Sequence, residues 1–348
     1  MKIHIGKNLL SKINRLFDLS KFSKIVVLTD ENIPESLIDK IERSLNRKPI
    51  RIIIPAGEKE KNIETVQKIW KKMFDNGLDR RSLLINLGGG VVTDMGGFAA
   101  GTFMRGIDFL NIPTTLLAQV DAGIGGKTGI DFMNIKNGIG VFEDPIGTII
   151  DIETLVTLPK RELVSAFGEI IKHGVIFGRE HFNLITSKKP EDYSQKELIK
   201  IIKQSIKIKS TIVKKDPNEK GLRKVLNFGH TIGHAIESLS WKSDKPLLHG
   251  EAVAIGMVVE SKLANDLGML SKNNLKIIEK SVNKAGLISK INNIKSTDIM
   301  TMIISDKKNI KGEILFSLPK KIGKVIPNIK ISPEKIKIFL QQSLQLIN

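Results

Sequence analysis

Cysteine is absent from this chain. Its absence excludes disulfides, thiolate nucleophiles and cysteine-ligated zinc, so any metal would have to be held by histidine and carboxylate. Aromatic residues are scarce at 5% of the chain, fourteen phenylalanines with one tyrosine and two tryptophans, thin material for the stacking platforms on which single-stranded nucleic acid is laid out. No stretch approaches the ~18 unbroken apolar residues of a membrane span; the most apolar region, 82–104, is broken by Asp94 and bounded by Arg105. Met1–Ser11 lacks the basic-then-apolar plan of a secretory signal. A soluble cytoplasmic protein is expected.

Acidic residues are in deficit. The 37 Asp and Glu against 55 Lys and Arg leave a formal charge of +18, a balance suited to nucleic acid, an anionic membrane or small anionic ligands. The lysines, however, are strewn along 189–224 and 272–311 among acids and apolar residues, and no short run is purely basic. Lysine-rich solvated faces are therefore expected, with no nucleic-acid or membrane partner. The 348 residues, 41% hydrophobic and 26% charged, suffice for about two globular domains at ~150 residues each.

The first half alternates β-branched runs with amphipathic stretches: strands at 24–29, 50–54, 82–87 and 109–112, and helices at 34–45, 63–76 and from the glycine turn to about 103. That alternation predicts an open α/β, Rossmann-like parallel sheet over residues 1–150. From 151 to 348 the pattern becomes long 3.6-period segments, at 161–177, 196–213, 227–239, 251–267, 274–285 and 333–344, with 312–318 the one strand. A mainly helical second domain follows.

Leu87-Gly88-Gly89-Gly90 follows a strand and opens a helix, where glycines allow close approach of a pyrophosphate to backbone amides. It is not the GxGxxG fingerprint, and a tight turn without ligand reads equally well. Pro55-Ala56-Gly57-Glu58 with Lys61, and Pro113-Thr114-Thr115, also follow strands, on the ligand edge of such a sheet. Asp30 and Asn32 could take the ribose or adenine end of a dinucleotide, or form an ordinary helix cap. Asp121 to Thr128, with Lys127, and Lys136-Asn137 read as a glycine-bearing loop suited to phosphate or to solvent.

His230 and His234 stand at i,i+4, and His249 opens the next helical segment. Such spacing can bring three imidazoles to one metal. Glu169, inside an apolar helix, is the carboxylate candidate, because an unpaired charge there is costly. A salt bridge from Glu169 to Lys172 or an N-cap pairing near His249 explains these residues singly; together they point to metal. Of the other histidines, His4 reads as terminal and His181 as lying in a polar connection.

Nine blocks, in order and spacing, resemble the 3-dehydroquinate synthase family of sugar-phosphate cyclases from about Lys24 to Lys308: PAGEKEK (55–61), LGGGVVTDMGGF (87–98), the run 103–131 with KNGIG (136–140), TLPKREL (157–163), GEIIKHGVI (168–176), DPNEKGLRKVLNFGHTIGHAIE (216–237), HGEAVAIGM (249–257) and DKK (306–308). The resemblance implies a lyase of the shikimate pathway that converts 3-deoxy-D-arabino-heptulosonate 7-phosphate to 3-dehydroquinate and phosphate. NAD would transiently oxidise the C5 hydroxyl, phosphate would leave by elimination, the hydride would return, and ring opening with aldol closure would follow.

Residue by residue, the resemblance implies zinc or cobalt on Glu169, His230 and His249, with His234 a catalytic histidine and not a ligand. Residues 1–150 would form the NAD-binding domain, with NAD held by Glu58, Lys61, Gly89, Gly90, Asp94, Thr114, Thr115, Lys127 and Lys136, and by Thr157 just beyond it. Residues 151–348 would bind metal and substrate. Lys127, Asn137, Asn227, one of Lys307 and Lys308, and Arg105 from across a homodimer interface match anion-binding positions. Lys209 and Arg223 match the carboxylate site, and Asp121, Lys136, Lys172 and Glu219, the last bracing Arg223, match further site positions. The chain departs from the family pattern in starting at what resembles the second strand of an N-terminal hairpin, and in a longer connection over 241–246. The alternatives are another sugar-phosphate cyclase and a metal-dependent polyol or glycerol-type dehydrogenase. The second offers no reason for Lys127, Asn137, Lys209 and Arg223 together.

Overall fold

The computed structural model describes residues 2–133, 135–287, 294–304 and 313–343. These form two compact units, Met1–Pro159 with Leu198–Lys203, and Lys160–Glu197 with Gln204–Asn348. Among the described residues no helix is long and apolar enough to cross a membrane.

The first unit runs β1 (Lys2–Gly6), α1 (Ile13–Leu16), β2 (Ile25–Asp30), α2 (Glu35–Ser44), β3 (Ile50–Ile54), α3 (Ile63–Asp75), β4 (Leu83–Gly88), α4 (Gly90–Thr102), β5 (Asp108–Pro113), β6 (Lys127–Phe132), β7 (Ile135–Phe142) and β8 (Gly147–Asp151). Six strands pair in parallel in the order β1-β8-β5-β4-β2-β3. Both sheet faces are covered, as parallel sheets require, and the two-residue strand period sorts the side chains. Val26, Leu28 and Leu84 pack with Val66, Ile69 and Met95 of α3 and α4, whereas Ile25, Val27 and Ile85 pack with Leu37, Ile38 and Ile41 of α2. The parallel α/β expectation holds.

One sequence expectation needs correction here. The segment read as a glycine-bearing loop is in part an antiparallel hairpin: Lys127 opens β6, and Lys136 and Asn137 lie on β7. Gly129 faces Gly140 across it, and a Cβ on either would lie 2.2–2.5 Å from the opposite backbone; the low strand propensity of glycine hid a pairing that needs glycine. His4 lies within edge strand β1, its ring edge-on to Phe17.

The second unit comprises α5 (Lys160–Phe177), α6 (Arg179–Thr186), α7 (Gln195–Lys215, less the segment counted with the first unit), α8 (His230–Ser240), α9 (His249–Asp266), α10 (Lys272–Lys284), α11 (Ser296–Ile304), β9 (Ile314–Lys321), β10 (Lys324–Ile331) and α12 (Pro333–Ser343). Helix α9 is buried over almost its whole circumference and packs against both α5 and α8. The helical expectation holds, with two corrections. The strand expected at 312–318 has an antiparallel partner, β10, whose Pro327 and left-handed Asn328 sit in a register shift and disrupt the strand pattern. His181 is on α6 and buried, not in a polar connection.

Candidate active site

In the first unit the chain reverses its direction of travel across the sheet between β2 and β4, the position at which open α/β sheets hold ligands beyond the strand ends. Asp30 ends β2, Gly88 ends β4, and Gly89 precedes the first turn of α4 with no side-chain cap. A Cβ on Gly89 would come within 3.1 Å of the Thr115 Cγ2, and one on Gly90 within 3.3 Å of the Ala122 Cβ. The turn therefore has room for backbone and little else, as a dinucleotide cradle requires. Thr114, just past β5, donates its amide to the Gly88 carbonyl at 2.9 Å. The Asp30 carboxylate accepts the Asn32 amide at 2.9 Å, so these two residues make an ordinary turn of their own, and burial raises the Asp30 pKa.

Beside this turn lies a polar cluster around the buried Lys61. Lys61 donates to Asp94 Oδ2 and to Asn137 Oδ1, each at 2.6 Å, while Asp131 Oδ1 accepts the Asn137 amide at 2.7 Å. Burial works against the Lys61 ammonium, but Asp94 and Glu58 outweigh it and raise its pKa. Glu58 pairs with Lys136 at 3.6 Å. The cluster joins five expected site residues, Glu58, Lys61, Asp94, Lys136 and Asn137, and ties α4 to the β6–β7 hairpin. Asp121 sits in the π-helical turn Ala118–Ala122, and Lys127 is exposed. Thr157 is exposed at the end of a short 3-10 turn. Arg105 is exposed within a run of positive φ, Met104 (49°), Arg105 (73°) and Gly106 (112°), a strained conformation for the two non-glycine residues.

In the second unit three helices meet at glycine. A Cβ on Gly168 of α5 would lie 2.1 Å from the Gly250 carbonyl oxygen, and one on Gly250 of α9 would lie 1.8 Å from the Ser165 carbonyl oxygen. Gly256 of α9 meets the Gly229 carbonyl in the same way at 2.0 Å. The neighbours of these contact points along the chain are Glu169, His249 and His230. Close backbone packing thus delivers the three candidate ligands to one place.

Glu169 Oε1 stands 3.3 Å from His230 Nε2 and 3.6 Å from His249 Nε2. Two ligands on a tetrahedral ion with ~2.1 Å bonds are separated by about 3.4 Å, so the donor set fits a divalent cation. Both Glu169 oxygens are sealed from solvent and lack a well-directed hydrogen bond, although Lys172 and both imidazoles are within ion-pair reach. Ligand atoms of His230, His234 and His249 lie within 4.8 Å of one another, so His234 belongs to the same cluster. The Glu169–Lys172 ion pair is present as well, and both residues are buried.

Outer contacts fix the rings. His230 Nδ1 is 3.2 Å from the Phe228 carbonyl, an acceptor, so Nδ1 carries the proton and Nε2 faces Glu169. His249 Nδ1 is 3.1 Å from Glu237 Oε2. Burial opposes ionisation of Glu169, yet Lys172 and His230 hold it well below the usual carboxylate range. Burial, with Lys172, lowers the His230 pKa; burial also disfavours a charged His249, but Glu169 and Glu237 push it up to about 10.

The helix ends are held by carboxylates that sequence reasoning missed. Glu260 of α9 is fully buried and accepts the amides of Gly229 at 2.6 Å and Ile232 at 3.1 Å. This contact and the left-handed Gly229 explain why α8 starts at His230 and not at 227. Glu251 caps α9 through the Leu248 amide and receives both Nε and NH2 of Arg161, whose NH2 also binds the Pro246 carbonyl and anchors the 241–246 connection. A signal was present, since Glu237 and Glu260 each interrupt apolar runs in which an unpartnered carboxylate is costly.

Lys209 and Arg223 are buried; Arg223 NH1 donates to the Pro217 carbonyl at 2.7 Å. Asn227 Nδ2 donates to Glu219 Oε1 at 2.8 Å. Lys307 and Lys308 lie outside the described residues.

A family model described as 3-dehydroquinate synthase N-terminal matches residues 51–165, and one described as 3-dehydroquinate synthase C-terminal matches residues 166–309. The 3-dehydroquinate synthase of Alkaliphilus metalliredigens is 41% identical over 341 residues, covering 97% of this chain and 94% of the relative. Among solved structures, 2-deoxy-scyllo-inosose synthase complexed with carbaglucose-6-phosphate, NAD+ and Co2+ shares the fold with a TM-score of 0.89 at 24% identity, covering 98% of this chain and 96% of that one. A 2-epi-5-epi-valiolone synthase from Streptomyces hygroscopicus with NAD+ and Zn2+ bound gives 0.87 at 25% identity, covering 100% and 97%.

Proposed function

The chain belongs to the 3-dehydroquinate synthase family, and from that premise we propose that it is a lyase converting 3-deoxy-D-arabino-heptulosonate 7-phosphate to 3-dehydroquinate and phosphate with no net oxidation. The observation that carries the reading is the convergence of Glu169 Oε1 with His230 Nε2 and His249 Nε2 at 3.3 and 3.6 Å. Glu169, His230 and His249 would hold a zinc or cobalt ion, and the Gly89–Gly90 turn would hold NAD; when bound these supply Lewis-acid polarisation of the substrate hydroxyls and a reversible hydride acceptor.

The side chains do the rest by holding geometry and charge. His234, clustered with His230 and His249, accepts the hydroxyl proton at a ring nitrogen. Lys209 and Arg223, both buried, bind the substrate carboxylate, Arg223 offering a planar fork that lysine lacks. Lys127, Asn137, Asn227, Arg105 and one of Lys307 and Lys308 hold the phosphate, with Asp121 and Lys136 directing hydroxyls and cofactor. Lys172 neutralises Glu169, and Glu219 orients Asn227 through the 2.8 Å bond. Glu58, Lys61, Asp94, Thr114, Thr115 and Thr157 complete the NAD site, with Asp30 and Asn32 at its ribose or adenine end. Residues 1–150 serve NAD and 151–348 serve metal and substrate. The protein acts in the cytoplasm as a homodimer, its basic residues serving a small anion.

Phosphate release from the heptulosonate phosphate, with NAD and added Co2+ or Zn2+ and again after chelation, tests the reading. Release that stops on chelation, without accumulation of NADH, is expected; no release with metal present would sink it. Arg223→Ala should abolish turnover of this substrate, and unimpaired turnover would argue for a cyclase acting on a sugar phosphate without a carboxylate.

A further inference from the structure

Helix α8 carries His230, His234 and Glu237 at i, i+4 and i+7, one stripe of its surface. Glu237 is not among the residues assigned above to metal, substrate or cofactor. It is 3% exposed, and its Oε2 sits 3.1 Å from Nδ1 of His249, the first residue of α9. The same ring turns Nε2 toward Glu169 Oε1 at 3.6 Å. His230 has a different outer partner, the neutral carbonyl of Phe228 at 3.2 Å. The two candidate ligand imidazoles, His230 and His249, are therefore held unequally, one by a peptide carbonyl and one by a buried carboxylate.

We infer that Glu237 is a positioning residue for the divalent-ion site: by accepting Nδ1–H of His249 it fixes that ring with Nε2 directed at the ion and makes His249 the more strongly donating of the two imidazoles. The inference rests on the metal reading of Glu169, His230 and His249. A carboxylate behind a ligating imidazole fixes its tautomer and raises its basicity, and removing such a partner costs about 10–100-fold in metal affinity. Burial strengthens the case, since a carboxylate taken out of water needs a compensating partner, and His249 supplies one twelve positions along the chain on the neighbouring helix.

The test uses the full-length protein and Co2+ as the probe, with dissociation constants from chelator competition and the visible d–d spectrum as readouts. Glu237→Gln keeps the shape of the side chain and serves as the main variant; Glu237→Ala removes the contact. The expected result is an affinity about tenfold weaker for the glutamine variant and 10–100-fold weaker for the alanine variant, with a displaced d–d maximum. The ion-free glutamine variant should melt as the wild type does, which separates positioning from a merely structural role. Affinities within twofold of wild type with an unaltered spectrum would overturn the inference alone. A wild-type protein that takes up no Co2+, or whose uptake is indifferent to Glu169→Gln, would overturn the metal reading and the inference with it.

Discussion

Replacing Gly250 by alanine should part the helices on which the candidate ligands stand. Gly250 is the second residue of α9 and its φ is not in the left-handed region, so alanine would by itself favour the helix by up to about 1 kcal/mol. Against this, the new Cβ would lie 1.8 Å from the Ser165 carbonyl oxygen and 2.6 Å from its carbon, roughly 1.5 Å short of ordinary contact. The obstacle is backbone and cannot turn aside as a flexible side chain could. Overpacking of this kind costs about 1–3 kcal/mol and here lies at or beyond the upper end, leaving a net loss of about 2 kcal/mol. At about 2–4 °C per kcal/mol for a unit of this size, the melting temperature should drop by about 4–8 °C. Movement of α9 against α5 would also stretch the 3.6 Å spacing of His249 and Glu169, and metal sites tolerate only about ±0.2 Å. Thermal melts by circular dichroism and Co2+ titration of Gly250→Ala and wild type measure both effects. A variant that melts at or above the wild-type temperature with undiminished Co2+ affinity would refute the packing argument.

Two further substitutions probe buried charge. Lys172→Met removes the ammonium paired with the fully buried Glu169 and should destabilise the protein by about 3 kcal/mol in urea unfolding, whereas the double variant Glu169→Gln/Lys172→Met should recover most of that loss; a single variant as stable as wild type would contradict the pairing. His181 is buried with neither ring nitrogen hydrogen-bonded among the described residues, and burial pushes its pKa down to about 4 from 6.5. The unfolded chain binds the proton first, so the contribution is fully present above pH 6.5 and is lost as pH falls toward 4, by up to about 3 kcal/mol. His181→Phe should remove this part of the pH dependence of the urea midpoint, and an unchanged slope would count against the assignment.

Much of the fold was legible because burial on both sheet faces leaves continuous β-branched runs such as 24–29, while long amphipathic periods mark the helices. What stayed hidden has local causes. The β6–β7 hairpin is built on facing glycines, which carry no strand signal, and β10 is interrupted by Pro327 and the left-handed Asn328. His181 has polar neighbours along the chain but turns inward on α6. At the site, the His230–His234 spacing and the isolation of Glu169 among apolar residues pointed to the cluster that the fold assembles. Glu237, Glu251 and Glu260 did not stand out because their partners, His249, Arg161 and the α8 amides, lie on other helices, and one sequence does not reveal such pairings.

The glycine contacts between α5, α8 and α9 also say something about what holds the cluster together. Backbone packed against backbone sets where Glu169, His230 and His249 stand, a placement that needs no cation to draw the helices together. A divalent ion would be a guest in a finished cage and not the rivet that joins its walls. Stripping the ion should leave the secondary structure standing, and one divalent ion should replace another without unfolding of the chain.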